Sequence, residues 1–260
     1  MLGVLLTSDD IMGESSYHHL LPVVVERLSE QGMLVESEGA QVVYPGGWVN
    51  REGEPMPVII AKADGAYNYA TTDLACIIDR VERLGCDDLL YVVGTPQTQH
   101  FKMVFEVAQQ AGFMDDSHNT VHVNFGSVMD SDGKILKSRE GEVIKLVDLL
   151  KEAVSRAEQA IAEKNPELHG AQRKEVANAI GIGAVKYADL STERTKDYVF
   201  DWDRMLAFEG NTSPYLQYAH ARICSIFRRS GSERSTLSGT DIVLDRPEEL
   251  LLARRLVNFA

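Results

Sequence analysis

Three side chains in the first half of the chain have the chemistry to hold a polar cation. Asp73 falls where a helix is expected to begin, and the positive end of the helix dipole favours an anion there. An ionised carboxylate so placed can pair bidentately with a guanidinium, a strong and directional contact. Tyr69 ends the strand-like run Ala66, Tyr67, Asn68, Tyr69, Ala70 and can offer its ring or hydroxyl to the same pocket. Gln97 takes the corresponding place after the next strand. Its amide both donates and accepts, which suits a polar amino-acid ligand. Plainer roles stay open at this point: Asp73 as a helix-start acid, Tyr69 as core, Gln97 as a solvent-facing loop residue.

A second chemistry lies further on. Residues 214–229 contain Arg222, Arg228 and Arg229 and no acid, and Tyr215, Tyr218 and Arg222 fall along one side at helical spacing. Aromatics beside arginine stack on bases and contact phosphates. An amphipathic core helix is the alternative reading of the same residues.

Elements of two kinds must position these groups. Residues 17–31 read as a helix with Leu20, Leu21, Val24, Val25 and Leu28 on one side and Gly32 as its stop. From 34 to 60 glycines and Pro45 punctuate short β-type runs, including residues 41–44 and 57–60, which predicts a small β-rich excursion. Two similar units follow. The first runs from 66–70 into a helix carrying Leu74, Ile77, Ile78, Val81 and Leu84, ended by Gly85. The second runs from the apolar strand 89–93 through Gly94, Thr95, Pro96 and Gln97 into a helix ended by Gly112, with another strand at 121–125. Alternating strands and helices, with one strand apolar throughout, predict an α/β fold whose parallel sheet is covered on both faces. Ligands of such folds bind beyond the carboxyl ends of the strands, at the loops holding Asp73 and Gln97. After Lys145 the pattern turns helical: Val143, Val147, Leu150, Val154, Ala157 and Ile161 form a stripe ended by Pro166. A helix over 173–187 carries small residues that permit close approach. Another opens near Pro214, 230–240 reads as a linker, and 247–260 begins a last helix.

Composition narrows the function classes. With 44% hydrophobic residues the chain can bury a core, and no apolar run is long enough to cross a bilayer. The start shows no basic leader or signal-peptide core, so a cytoplasmic address is expected. A net charge of -13 argues against a non-specific nucleic-acid binder but allows one local basic patch, such as 214–229. Cys76, Cys86 and Cys224 are scattered and read as small apolar residues. The adjacent His18 and His19 complete no cluster, so no protein-bound metal is expected.

In order and spacing, a set of motifs resembles the arginyl-tRNA synthetase family, of the class I aminoacyl-tRNA synthetases. They are Tyr69-Ala70-Thr71-Thr72-Asp73; Gln97 with His100; the stretch 132–141 from Asp132 through Lys137, Ser138 and Arg139 to Gly141; 184–190; Phe200-Asp201-Trp202-Asp203; and 208–219. Gly13-Glu14-Ser15 also fits, and the resemblance covers essentially the whole chain. It implies that Tyr69, Asp73 and Gln97 bind L-arginine. It places Phe125, Gly126 and Val128 against the adenine of ATP, and Tyr215, Tyr218 and Arg222 on tRNA(Arg). Residues 134–141 stand where class I enzymes carry a mobile Lys-Met-Ser-Lys-Ser loop, and lysines on such a loop neutralise charge as pyrophosphate leaves. This sequence departs from that pattern, with Ile135 at the first position and Ser138 in place of the second lysine, so Lys137 is the foremost ATP phosphate contact and catalytic candidate, followed by Ser138.

The resemblance further implies ATP as substrate with Mg2+ accompanying it, transfer of arginine through an arginyl-adenylate, and a monomeric parent enzyme. The expected division is a Rossmann-type catalytic part at 1–132 with a β-rich insertion near 34–60, the loop and connecting helices at 133–205, and the opening of an α-helical anticodon-binding domain at 206–260. No His-x-Gly-His signature occurs, and the chain ends within a helical pattern, so an internal fragment, inactive alone, is expected. A redox enzyme on a dinucleotide fold is disfavoured because no GxGxxG follows a strand. A non-catalytic tRNA- or nucleotide-binding module derived from a synthetase is the alternative.

Overall fold

The computed structural model describes residues 1–135, 145–233, 235, 239 and 241–259. Lys137, Ser138 and Arg139 lie outside the described residues, and so does the phosphate-loop reading that rests on them.

A short 3-10 segment, Glu14–Leu20, leads into α1 (Leu21–Glu30), which buries Leu21, Val24 and Leu28. The expected β excursion is a three-stranded antiparallel sheet of β1 (Val35–Ser37), β2 (Ala40–Val43) and β3 (Val58–Ala61). Helix α2 (Tyr69–Ile78) follows and continues as a π-helical turn, Asp79–Arg83. Strand β4 (Asp88–Gly94), the 3-10 turn Thr95–Gln97, α3 (Thr98–Gln110) and β5 (Asn119–Phe125) complete a strand–helix–strand unit. Its two strands pair in parallel without a register break, from Asp88 opposite Asn119 to Gly94 opposite Phe125. The glycines expected to stop helices, Gly32, Gly85 and Gly112, take left-handed φ values of 68°, 63° and 63°.

Two sequence expectations need correction here. Residues 66–70 are not a strand: Tyr67 makes a single antiparallel bridge to Ala61 of β3, and Tyr69 and Ala70 are already helical. Ala66 and Gly65 bond back to Lys62 to close a turn, and Oδ1 of Asn68 accepts from the Tyr69 amide at 2.8 Å, so the helix begins at Tyr69. The alternation of Tyr67, Asn68 and Tyr69 imitates a strand, but the capping asparagine decides the local conformation. The strand preceding α2 is β3, which belongs to the antiparallel sheet, so the two units do not share one parallel sheet. Nor is β4 covered on both faces: Leu89 and Tyr91 point into the core, while Leu90 and Val92 are 59% and 66% exposed among the described residues.

The first core joins α1, the antiparallel sheet, α2 and α3 through Val24, Leu28, Ile60, Leu74, Ile77, Val104 and Val107, all fully buried. Beyond it, β6 (Val128–Met129) pairs in parallel with β7 (Tyr198–Val199). Helices α4 (Leu146–Lys164) and α5 (Gly170–Leu190) pack on each other along the expected stripe, burying Leu150, Ala157 and Ile161 with Ala177, Ala184 and Val185. Gly181 is the point of closest approach. A Cβ there would meet the Ala153 backbone at 2.7 Å, so only glycine fits without a shift. The short α6 (Trp202–Met205), then α7 (Ser213–Ser230) and α8 (Pro247–Val257) follow. Pro214 and Pro247 both stand in first turns, where a missing N–H costs nothing.

Candidate active site

Tyr69 and Asp73 lie one turn apart on the same side of α2. Asp73 is the fifth residue of that helix, deeper than the sequence suggests, so the helix start is not what holds its charge. The carboxylate instead meets α3: Nε2 of His100 lies 2.6 Å from Oδ2 of Asp73. Asp73 is partly exposed at 28% and His100 is 15% exposed. The Tyr69 ring packs on the imidazole at 4.7 Å between centroids, tilted by 58°.

Gln97 caps α3 from the preceding 3-10 turn, with its side chain exposed. It lines a pocket of about 320 Å3 together with Tyr69, His100 and Asn68, and with Met56 and Ile59 of the antiparallel sheet region. Two of the three residues read as arginine-binding therefore line one pocket, and Asp73 sits behind its wall, joined to it through His100. His100 stands in the sequence motif with Gln97 but carries no assigned role there; its contact with Asp73 is what the fold adds. A larger groove of about 530 Å3 lies on the other side of α3, between Trp48, Lys102 and Glu106. There the indole N–H already donates to Glu106 at 2.7 Å, and none of the predicted site residues line it.

Phe125 ends β5 beside Gly94, and the turn after it is fastened at several points. The Thr95 hydroxyl donates to the Phe125 carbonyl at 2.9 Å, the Gly126 amide to the Arg194 carbonyl at 2.9 Å, and the Ser127 amide to Asp197 at 2.6 Å. The Arg194 guanidinium also donates to the Asn124 carbonyl. Val128 then opens β6 opposite Tyr198, whose phenol burial pushes up to about 12, so it stays neutral. Phe125 keeps 42% of its surface exposed. A flat ring on a rigid turn can stack on a base, and Thr95 links this turn directly to the loop carrying Gln97. From β6 the chain enters an Asx turn, with Asp130 accepting from the amides of Asp132 and Lys134 at 2.9 Å each, and leads to the segment holding Lys137.

Helix α7 presents Tyr215 and Tyr218 at 46% and 54% exposure with Arg222 also exposed. Thr212 caps its start by accepting from the Tyr215 amide at 3.3 Å, and Gln217 ties it to α5 by donating to the Ala179 carbonyl at 3.1 Å. Of the cysteines, Cys76 is buried in the core as expected, while Cys86 and Cys224 are only partly covered. No helix among the described residues is long and apolar enough to cross a membrane.

Comparison with known proteins gives the same reading throughout the chain. Residues 1–202 match the family described as tRNA synthetases class I (R), catalytic domain, and residues 216–260 match the DALR anticodon binding domain. The arginine–tRNA ligase of Serratia proteamaculans is 50% identical over 258 residues, covering 99% of this chain and 45% of that protein. That of Edwardsiella ictaluri is 51% identical over 258 residues, covering 99% and 44%. The chain thus spans less than half the length of the curated relatives it matches. Among solved structures, the arginyl-tRNA synthetase of Plasmodium falciparum superposes with a TM-score of 0.80 at 28% identity, covering 99% of this chain and 42% of that one. The Thermus thermophilus arginyl-tRNA synthetase shares the fold, with a TM-score of 0.73 at 23% identity over 93% of this chain and 45% of that one. With the catalytic-domain match spanning most of its length, the chain belongs to the class I arginyl-tRNA synthetase family.

Proposed function

We propose that this chain forms part of an arginine–tRNA ligase, which activates L-arginine with ATP to arginyl-adenylate and transfers it to tRNA(Arg) in the cytoplasm. The observation that carries the reading is the carboxylate of Asp73 bonded to His100, behind the wall of a pocket that Tyr69, His100 and Gln97 line. A guanidinium is always charged and demands a planar acceptor, which a carboxylate supplies. In this proposal Asp73 anchors the guanidinium, Tyr69 packs on it, and the Gln97 amide bonds the amino-acid end.

Phe125, Gly126 and Val128 take the adenine of ATP, and Mg2+ arrives with the ATP phosphates. Lys137 neutralises charge on the phosphates as pyrophosphate leaves, and Ser138 assists it. Tyr215, Tyr218 and Arg222 contact tRNA. The proposed division keeps 1–132 as catalytic part, 133–205 as loop and connecting helices, and 206–260 as the opening of the anticodon-binding domain, in a monomeric ligase. The test is Asp73→Asn in the full-length ligase: a raised arginine KM with an unchanged ATP KM supports the assignment, and an unchanged arginine KM removes it. These 260 residues hold no His-x-Gly-His signature, so alone they should give no arginine-dependent ATP–pyrophosphate exchange. Exchange above a blank would contradict that.

A further inference from the structure

Sequence spacing alone assigns no role to His100, and the geometry around it is specific. Its Nε2 lies 2.6 Å from Oδ2 of Asp73. An ionised carboxylate can only accept, so Nε2 carries the proton and donates. The ring is held on two sides, by Tyr69 at 4.7 Å and by Phe101, edge-on, at 5.2 Å. Phe101 is itself 6% exposed and packs against Tyr91 and Phe105, so the imidazole rests on the core rather than on a mobile surface.

This arrangement has consequences for Asp73. A carboxylate on a helix otherwise samples more than one staggered rotamer, and the bond to His100 selects one of them. The bond occupies one of roughly four acceptor sites on the two oxygens, and the carboxylate keeps 28% of its side-chain surface exposed, through which the others can be reached. A lysine or arginine in place of His100 would also orient the carboxylate, but it would cancel the charge that a guanidinium needs. An imidazole can donate from Nε2 without the permanent charge that lysine or arginine would bring.

We propose that His100 is the positioning residue for Asp73 and, through it, a determinant of selectivity for a guanidinium over neutral isosteres. The inference rests on the reading of Asp73 as guanidinium anchor. It goes further by assigning the second helix, α3, the task of aiming that anchor.

The test uses the full-length ligase with His100→Phe, His100→Gln and Asp73→Asn, measured for arginine KM, ATP KM, kcat and discrimination against citrulline. Phenylalanine keeps the ring stack and loses the donor. Glutamine places an amide N–H close to where Nε2 stands. His100→Phe should raise the arginine KM at least about fivefold and narrow the arginine-over-citrulline preference by a similar factor, with kcat and ATP KM within about twofold. His100→Gln should recover most of the loss. A merely structural role would lower Tm and disturb arginine and ATP kinetics together, and glutamine would not restore selectivity. Native arginine KM and selectivity in His100→Phe, alongside a defective Asp73→Asn, would overturn the positioning role alone. A native arginine KM in Asp73→Asn would instead remove the reading beneath it. Should His100→Phe fail to fold, His100→Asn, whose shorter amide falls short of Oδ2, replaces it: an arginine KM equal to that of His100→Gln overturns the proposal, and one several-fold higher supports it.

Discussion

The main chain of Lys196 occupies the place where a side chain on Gly126 would begin: a Cβ there would stand 2.3 Å from the Lys196 carbonyl carbon and oxygen. The turn that ends β5 and the segment before β7 are therefore pressed together at a position that admits only hydrogen.

Gly126→Ala should consequently force the two backbones apart. Overpacking of this kind costs about 1–3 kcal/mol, and the displaced turn carries the residues proposed to face adenine. The expected result is a lowered Tm and an ATP KM raised more than the arginine KM, read by thermal unfolding and steady-state kinetics. A variant with native Tm and ATP KM would show that the contact is not closed in solution.

Asp73→Asn keeps the shape of the proposed anchor and removes its charge. Losing one partner of a desolvated carboxylate–guanidinium contact costs about 2–5 kcal/mol. The arginine KM of the full-length ligase should rise more than about tenfold, with ATP KM nearly unchanged, and citrulline should lose much of its disadvantage. Equal damage to arginine and ATP kinetics would point to a folding defect instead.

The α7 surface can be tested through salt. Arg222→Ala should weaken tRNA binding and reduce the slope of log affinity against log salt by about one. Tyr218→Ala should weaken it by about 1–3 kcal/mol if the ring stacks on a base, without changing that slope. Filter binding at several salt concentrations separates the two, and a slope unaltered by Arg222→Ala would exclude a phosphate contact there.

Acid sensitivity should trace to Asp79. Two hydrogen bonds from Arg83, at 2.6 and 2.7 Å, hold its carboxyl below the ordinary 3.8. A group whose folded pKa is depressed contributes stability that is present above the unfolded pKa and is lost as pH falls through the folded value. Asp79→Asn should therefore cost about 1–2 kcal/mol at neutral pH, discounted for the exposure of Arg83. The cost should fade below about pH 4, flattening the acid limb of a Tm-against-pH curve. Arg27 holds the Glu82 carboxyl low in the same way, but both side chains are well exposed at 35% and 48%, so Glu82→Gln should do less.

Periodicity made much of this architecture legible. The α4 stripe, α7 with its proline in the first turn, and the strands β4 and β5 follow from apolar spacing, α5 from its run of small residues, and the small glycine-punctuated sheet from turn chemistry. What periodicity misplaced was local competition: the Tyr-Asn-Tyr alternation at 67–69 imitates a strand until the Asn68 cap is seen to start the helix. The apolar run of β4 read as doubly covered, yet whether a partner lies over Leu90 and Val92 is a property of packing rather than of the strand. At the candidate site, the types of Tyr69, Asp73 and Gln97 allow a cation pocket but leave plainer roles open, and only the family resemblance implies arginine. The Asp73–His100 bond could not be read because it joins two helices whose mutual placement is a tertiary fact.

Gly183 faces α7 as Gly181 faces α4: a Cβ on it would meet the Gln217 amide at 2.4 Å and the Ser213 hydroxyl at 2.7 Å. Helix α5 is therefore a thin partition, with a neighbour seated almost against its backbone on either side. An α7 of 18 residues is about 27 Å long at 1.5 Å per residue. A tilt of about 5° at its root would carry Arg222, about 14 Å along the helix, by roughly 1 Å, by the geometry of a rod. The aim of Tyr218 and Arg222 thus depends on one missing methyl group in a different helix, at Gly183, so a substitution remote from the proposed tRNA surface would misdirect it.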